Sequence, residues 1–399
     1  MKLSTKLLAS AVAATLCSAP VVADSALETL MTDSKTNVDF RYRYEGVDQE
    51  GIAETAAANT LRSRVTFNSG SVNNISFKLE MDNVSALGGE QYNSTVNGRG
   101  EYPVVADPTG TDFNQAFVAY KNGSFGATAG RQRILLDDQR FVGGVGWRQN
   151  EQTYDGLSLA YSSGAVKGSY SFINNVNRIF GPTGPNADLR GAVHLANATF
   201  SVSDAHKLTG FAYLMDFDNA AAISSNTLGV RYAGDLDVVK LTASYATQSE
   251  TGDNPTAYTA SFLQAGANGK LSNFSWNIGY ENLGSDDGNK AFATPLATLH
   301  KWQGWADKFL NTPSAGLQDI YFGAGTNIGK VKLSATYHTF SSDVGSVDLG
   351  TELDAVAIYP INKKVKALFK YANYSAQDNL EETSLTDTQK VWLMLQVSL

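Results

Sequence analysis

The side chains with the most chemical reach crowd into one stretch, Gly130 to Gly156, which reads GRQRILLDDQRFVGGVGWRQNEQTYDG. Arg131, Arg133, Arg140 and Arg148 are interspersed there with Asp137, Asp138, Glu151 and Asp155. A guanidinium is a planar, permanently charged fork of donors that grips carboxylates, phosphates and carbonyl oxygens. The chemistry on offer is therefore non-covalent: recognition of anions, or mutual neutralisation. The run Gly143-Gly144-Val145-Gly146 ahead of Trp147 loosely suggests a phosphate-binding loop, but no strand-to-helix context follows it.

A second set of cations sits on segments that alternate. Arg41 and Arg43 interleave with Phe40, Tyr42 and Tyr44, and Arg62 and Arg64 with Leu61 and Val65. Lys78 lies between Phe77 and Leu79. On neighbouring antiparallel strands the four arginines would stack into a ladder. Like charges that close need Asp39, Glu45, Glu80 and Asp82 to offset them. Two readings stand side by side: a track for anionic solutes, or a hydrated interior with balanced salt bridges. The four histidines, His194, His206, His300 and His338, show no metal-ligand spacing, and we expect no metal, no cofactor and no enzymatic activity. Asp286-Asp287 and Glu381-Glu382 fall in loops, where a solvated acidic loop is favoured over divalent bridging to lipid headgroups.

The elements that would position these charges are short and regular. Thr36 to Gly46, Thr60 to Asn68 and Asn74 to Asn83 all alternate apolar and polar residues, the mark of a strand with one apolar face. Similar segments continue to Thr388–Leu399, where Val391, Leu393, Leu395, Val397 and Leu399 share one face. The connections decide between a sandwich and a barrel. Short links such as Ser69-Gly70-Ser71, Ser162-Ser163-Gly164 and Asn268-Gly269-Lys270 alternate with long ones, Val84 to Thr111, Asn174 to Arg190 and Leu283 to Gly316. Short turns at one end and long loops at the other are the rhythm of an outer-membrane barrel, and we expect about 18 antiparallel strands with both termini in the periplasm. The charge-dense stretch is then a connection folded into the lumen, where Arg131, Arg133, Asp137, Asp138, Arg140, Arg148 and Glu151 would line the narrowest point.

The compartment agrees. Lys2 and Lys6 precede a short apolar run, Leu7 to Leu16, and Val21-Val22-Ala23 offers a small-residue cleavage site. This predicts a secretory signal peptide over 1–23 and a barrel over 24–399. Cys17 would suit a lipoprotein only if a small residue stood at Leu16. Cleavage removes the single cysteine, and with it disulfides and thiolate zinc sites. The net charge of −8 becomes two units more negative without the leader's lysines, which argues against nucleic acid as a partner.

Two stretches, Gly130 to Gly156 and TPLATLHKWQGWADKFLNTPSAGLQDIYFG over Thr294 to Gly323, resemble the alginate export family of outer-membrane barrels. The resemblance implies a monomeric 18-stranded channel with an arginine-rich constriction that passes anionic polysaccharide or smaller solutes. It also implies that Arg131, Arg133, Arg140 and Arg148 are constriction residues.

The alternation predicts that Phe40, Tyr42, Phe77, Leu79, Phe274, Trp276 and Ile278 face lipid, and that Arg41, Arg43, Arg62, Arg64 and Lys78 line the lumen. Trp302, Trp305 and Phe309 recur at helical spacing, predicting a short amphipathic helix over His300 to Leu310. The functional expectation is a porin-like channel for small hydrophilic, anionic solutes or oligosaccharides, in contact with outer-membrane lipid. The alternative is a non-conducting adhesion or structural barrel whose loops plug the lumen.

Overall fold

A backbone that crosses lipid as strands has to close on itself, because every donor and acceptor needs a partner. The computed structural model of this chain shows that closure. It describes residues 20–378, 380 and 385–399; Lys2, Lys6, Leu7 to Leu16 and Cys17 of the expected leader and the pair Glu381-Glu382 lie outside the described residues. A helix, α1 (Pro20–Thr32), precedes the sheet, and its Leu30 carbonyl accepts the amide of Gly70 at 2.8 Å, in the first short turn.

The strands run β1 (Lys35–Gln49), β2 (Ala56–Asn68), β3 (Ile75–Ala86), β4 (Gly110–Asn122), β5 (Phe125–Gln132) and β6 (Thr153–Ser163). Then come β7 (Val166–Asn177), β8 (Asp188–Ser201), β9 (His206–Phe217), β10 (Ser225–Asp235), β11 (Val239–Glu250) and β12 (Thr259–Leu271). The last are β13 (Phe274–Leu283), β14 (Leu317–Ile328), β15 (Val331–Ser341), β16 (Asp348–Pro360), β17 (Val365–Ser375) and β18 (Thr388–Ser398). Sequence neighbours pair antiparallel throughout, and β1 also pairs with β18, so the 18-stranded sheet has no free edge. Val38 and Leu399 exchange backbone hydrogen bonds at the seam, 3.2 and 2.8 Å long.

Period two sets which side chain faces which medium. In β1, Arg41, Arg43 and Glu45 are buried in the interior while Phe40 is exposed on the outside. Leu79, Phe274 and Ile278 are likewise exposed, 42%, 46% and 50%, as expected for lipid-facing positions. One turn differs from expectation. Asn268-Gly269-Lys270 remains in strand register, and the chain reverses at Ser272, which has φ 56°, and Asn273. The Asn-Gly signal was outcompeted by a two-residue turn that Ser272 enters from the left-handed region. A bulge opposite Glu80 puts both Asn114 and Gln115 inside.

Two long connections enter the lumen: a first inward loop, 133–152, and a second, 284–316. They cross at Gly143, whose amide donates to the Leu296 carbonyl at 2.8 Å, while Val142 bridges Leu296. A Cβ at Gly143 would run into Gln139, 2.8 Å away, and into Thr298. Phe141, Phe292 and Leu296 from the loops pack on Phe211, Tyr213 and Phe262 of the wall. The Phe141 ring lies 5.0 Å from Phe211 and 5.1 Å from Phe262. One half of the lumen is thus a conventional apolar core.

The expected helix over His300 to Leu310 is absent. Only a single 3-10 turn forms, Leu299–Lys301. Gln303, Gly304 and Asp307 have positive φ, which a right-handed helix excludes. Wall carboxylates take the amides a helix would have used: Glu352 accepts from Ala306 at 2.7 Å and Asp354 from Trp305 at 3.1 Å. The aromatic spacing serves three separate contacts. Trp302 meets Arg140, Trp305 meets Lys370, and Phe309 packs 4.5 Å from Phe340.

Candidate functional site

The other half of the lumen is ionic, and strand register builds it. Arg41 stands opposite Arg62, and Arg64 stands between Asp39 and Asp82 of its two neighbours. Arg64 forks onto Asp82 at 2.6 and 2.5 Å and reaches Glu151 of the first inward loop at 2.8 Å. Arg62 donates to Asp39 at 2.7 Å. Arg133 pairs with Glu80 and Glu151, Arg43 with Asp107, and Arg148 with Glu45. Arg41 is different: it donates at 3.1 Å to the carbonyls of Gly146 and Trp147. The wall's cations therefore hold the first loop by its carbonyls, and, on the far side, Glu352 and Asp354 hold the second loop by its amides.

The six guanidiniums Arg41, Arg43, Arg62, Arg64, Arg133 and Arg148 share this half with six carboxylates, those of Asp39, Glu45, Glu80, Asp82, Asp107 and Glu151, and all but Arg41 pair with them, so the cluster is close to neutral. Satisfaction is incomplete all the same. Arg41 Nε and Arg62 Nε and Nη1 are buried without a hydrogen-bond partner among the described residues. Arg62 Nη1 does lie 3.5 Å from Glu151, an ion-pair distance without hydrogen-bond geometry. Burial by itself would raise the Glu151 carboxyl, but Arg64 and Arg133 override it and hold it at about 2. Asp107 is buried too, and Arg148 and Arg43 keep it below the usual carboxylate range.

The structure distributes the expected constriction residues over three places. Arg133, Arg148 and Glu151 join the ladder formed by Arg41, Arg43, Arg62 and Arg64. Asp137, Asp138 and Arg140 fasten the first loop to the opposite wall. There Arg140 donates to Glu281 at 2.8 Å and Thr294 at 2.8 Å and lies 5.4 Å from the Phe262 ring. Asp138 pairs with Arg231, and Asp137 accepts from Asn197 at 2.8 Å. Arg131 stays in the wall at the end of β5, bound to Asp155 at 2.9 Å and Asp112 at 3.3 Å. It shares the outward parity of Phe125. Lys78 is also apart from the ladder, near the first short turn, with Phe117 6.0 Å away.

Beside the crossed loops opens a cavity of ≈ 460 Å³. Its cationic lining is Arg148, Arg178, Lys308 and Lys390, with His300 beside them, against the single carboxylate of Asp307. Asp307 accepts from His300 and Lys390, both at 2.7 Å. Burial drives His300 down to about 3, so its ring is neutral. Burial and then Lys390 lower Lys308 to about 8. Several of these residues escaped the sequence reading. Lys390, Glu352, Asp354, Glu281 and Arg231 all occupy inward positions of alternating strands, so the signal was present in their parity. Asp107 follows no pattern, because its segment is irregular.

A family model described as "Alginate export" matches residues 34–280, more than half of the chain, including all of Gly130 to Gly156. The chain belongs to the alginate export family. This family member is an outer-membrane β-barrel of porin-like build. The fold recurs in Pseudomonas aeruginosa OccK9 (OpdG), with a TM-score of 0.71 at 14% identity over 93% of this chain and 100% of that one. Acinetobacter baumannii OccAB2 gives 0.69 at 15% identity, covering 93% and 99%. Pseudomonas aeruginosa OpdK, solved with vanillate, gives 0.70 at 11% identity, again covering 93% and 99%. No curated protein sequence matches the chain.

Proposed function

We propose that this barrel is an open pore for passive passage of small hydrophilic solutes bearing negative charge, short anionic oligosaccharides among them. The observation that carries the reading is the pair Arg41 and Arg62. The two stand directly opposite each other, 6% and 2% exposed, with buried N–H groups that no atom of the described residues accepts. A buried unmade hydrogen bond costs roughly 1–3 kcal/mol. A solute carboxylate brings the missing acceptor, and can leave again because the ladder is already close to neutral. The cavity lined by Arg148, Arg178, Lys308 and Lys390 gives such a solute an attractive approach, and low-dielectric walls focus that field. The vanillate with which OpdK was solved is an aromatic monoanion, a solute of this charge class.

The apolar core formed by the crossed loops favours a second reading, a barrel plugged by its own loops. Liposome swelling separates the two. Reconstituted protein should admit vanillate faster than its neutral analogue vanillyl alcohol. Equal rates for both would sink the charge preference, and entry of neither would favour the plug.

A further inference from the structure

Lys370 of β17 is 5% exposed, and no ion pair joins it to a carboxylate among the described residues. A buried ammonium whose carboxylates, Asp354 and Asp307 among them, stand beyond ion-pair distance is costly, so its surroundings have to compensate. Aromatic faces do so. Its Nζ lies 3.7 Å from the Trp305 ring centroid, 4.3 Å from Trp147 and 5.1 Å from Trp392. These rings come from the second inward loop, the first inward loop and β18. Cation–π attraction is strongest when the cation is desolvated, as here.

The one hydrogen bond of this ammonium among the described residues continues the connection. Lys370 Nζ donates to His300 Nε2 at 2.7 Å. That fixes the tautomer: Nδ1 carries the proton and donates to Asp307 at 2.7 Å, and Asp307 also accepts from Lys390 of β18. Trp147 stacks on the His300 ring, 5.2 Å between centroids and 9° between planes. A single ammonium therefore joins both inward loops to two strands of the wall.

From this geometry we infer that Lys370 is a positioning residue of the pore, a latch that holds the two loops in register and so sets the width between them. The functional half of this statement rests on the channel reading; the structural half does not. A lysine that merely filled space would be replaceable by an apolar side chain of similar length.

The test uses Lys370→Met, which keeps an unbranched stem and removes charge and donor, beside Lys370→Arg, whose guanidinium can stack and donate. Each is measured for single-channel current in planar bilayers and for acrylamide quenching of tryptophan emission. Lys370→Met should replace one conductance level by several, raise mean conductance on the order of twofold, and increase quenching. Lys370→Arg should retain a single level and wild-type quenching. Should Lys370→Met fail to fold, His300→Ala, a loop substitution that leaves the wall intact, is expected to behave in the same way. Wild-type conductance and quenching in the folded Met or His300→Ala variant would overturn the latch. A silent wild type would count against the channel reading alone, because quenching still reports on the latch.

Discussion

At the scale of single residues, the lumen is governed by pairing rather than by charge count. Arg148 illustrates it. The residue is 6% exposed and serves both Glu45 and Asp107. Arg148→Ala takes from Glu45 its hydrogen-bonded cation and leaves Asp107 with Arg43 alone, and removing one partner of a buried pair typically costs about 3–5 kcal/mol. Denaturant unfolding of the purified barrel should show a loss of that order, and a loss below about 1 kcal/mol, the value of an exposed pair, would mean that water reaches the site. Titration gives a second residue-level test. Lys308 is lowered to about 8 by burial and by Lys390, so it is charged at neutral pH and gives up its proton as pH rises through that value. Its folded value is below the ordinary 10.5, so the fold disfavours the charged form, and deprotonation relieves that cost. The cavity loses a positive charge over the same window, and anion preference should weaken between neutral pH and pH above 8. Lys308→Met should abolish that pH dependence, and a variant that retained it would place the titrating group elsewhere. Glu151 has the opposite sign. Its stabilising contribution is present above the ordinary 4.5 and is lost only as pH falls toward about 2, so docking of the first loop should survive mild acid.

At the scale of elements, alternation was the legible part. The strands, the short and long connections and the facing of Phe40, Leu79 and Ile278 could all be read from a period of two, because lipid on one side and water on the other enforce it. The inward loops were legible only as charge-dense interruptions. Their backbone is held by distant wall groups, Arg41, Arg43, Glu352 and Asp354, and such long-range capture leaves no local signature. That is why the spacing of Trp302, Trp305 and Phe309 misled: it matched a helix, while each ring answered to a different strand. Arg131 and Arg133 show the same limit. They are two residues apart in one motif, yet one turns into the wall and the other into the ladder because β5 ends between them. The facing itself can be tested by Leu79→Arg, which puts a charge on the lipid side at a cost of roughly 2–4 kcal/mol. Folding into bilayers, followed by gel mobility, should drop for Leu79→Arg and stay normal for Ser76→Arg on the inner face. Equal yields would contradict this facing, and the reverse ranking would mean that the phase of β3 is inverted.

At the scale of the whole molecule, the closed sheet supplies a rigid wall and the two loops divide its interior. One half is packed with Phe141, Phe262 and Phe292; the other carries the arginine ladder and the cavity beside it. The acidic net charge of −8 is spread over the chain, whereas the excess cations are local to the cavity, and a local field inside low-dielectric walls outweighs a remote one. The most direct measurement of this account is the reversal potential in a salt gradient across a planar bilayer, for wild type and for Arg140→Ala/Arg148→Ala. The account predicts discrete conductance steps with an anion-selective reversal potential in the wild type. It predicts weaker selectivity and larger steps in the double variant. Identical reversal potentials and step sizes for the two proteins would contradict it.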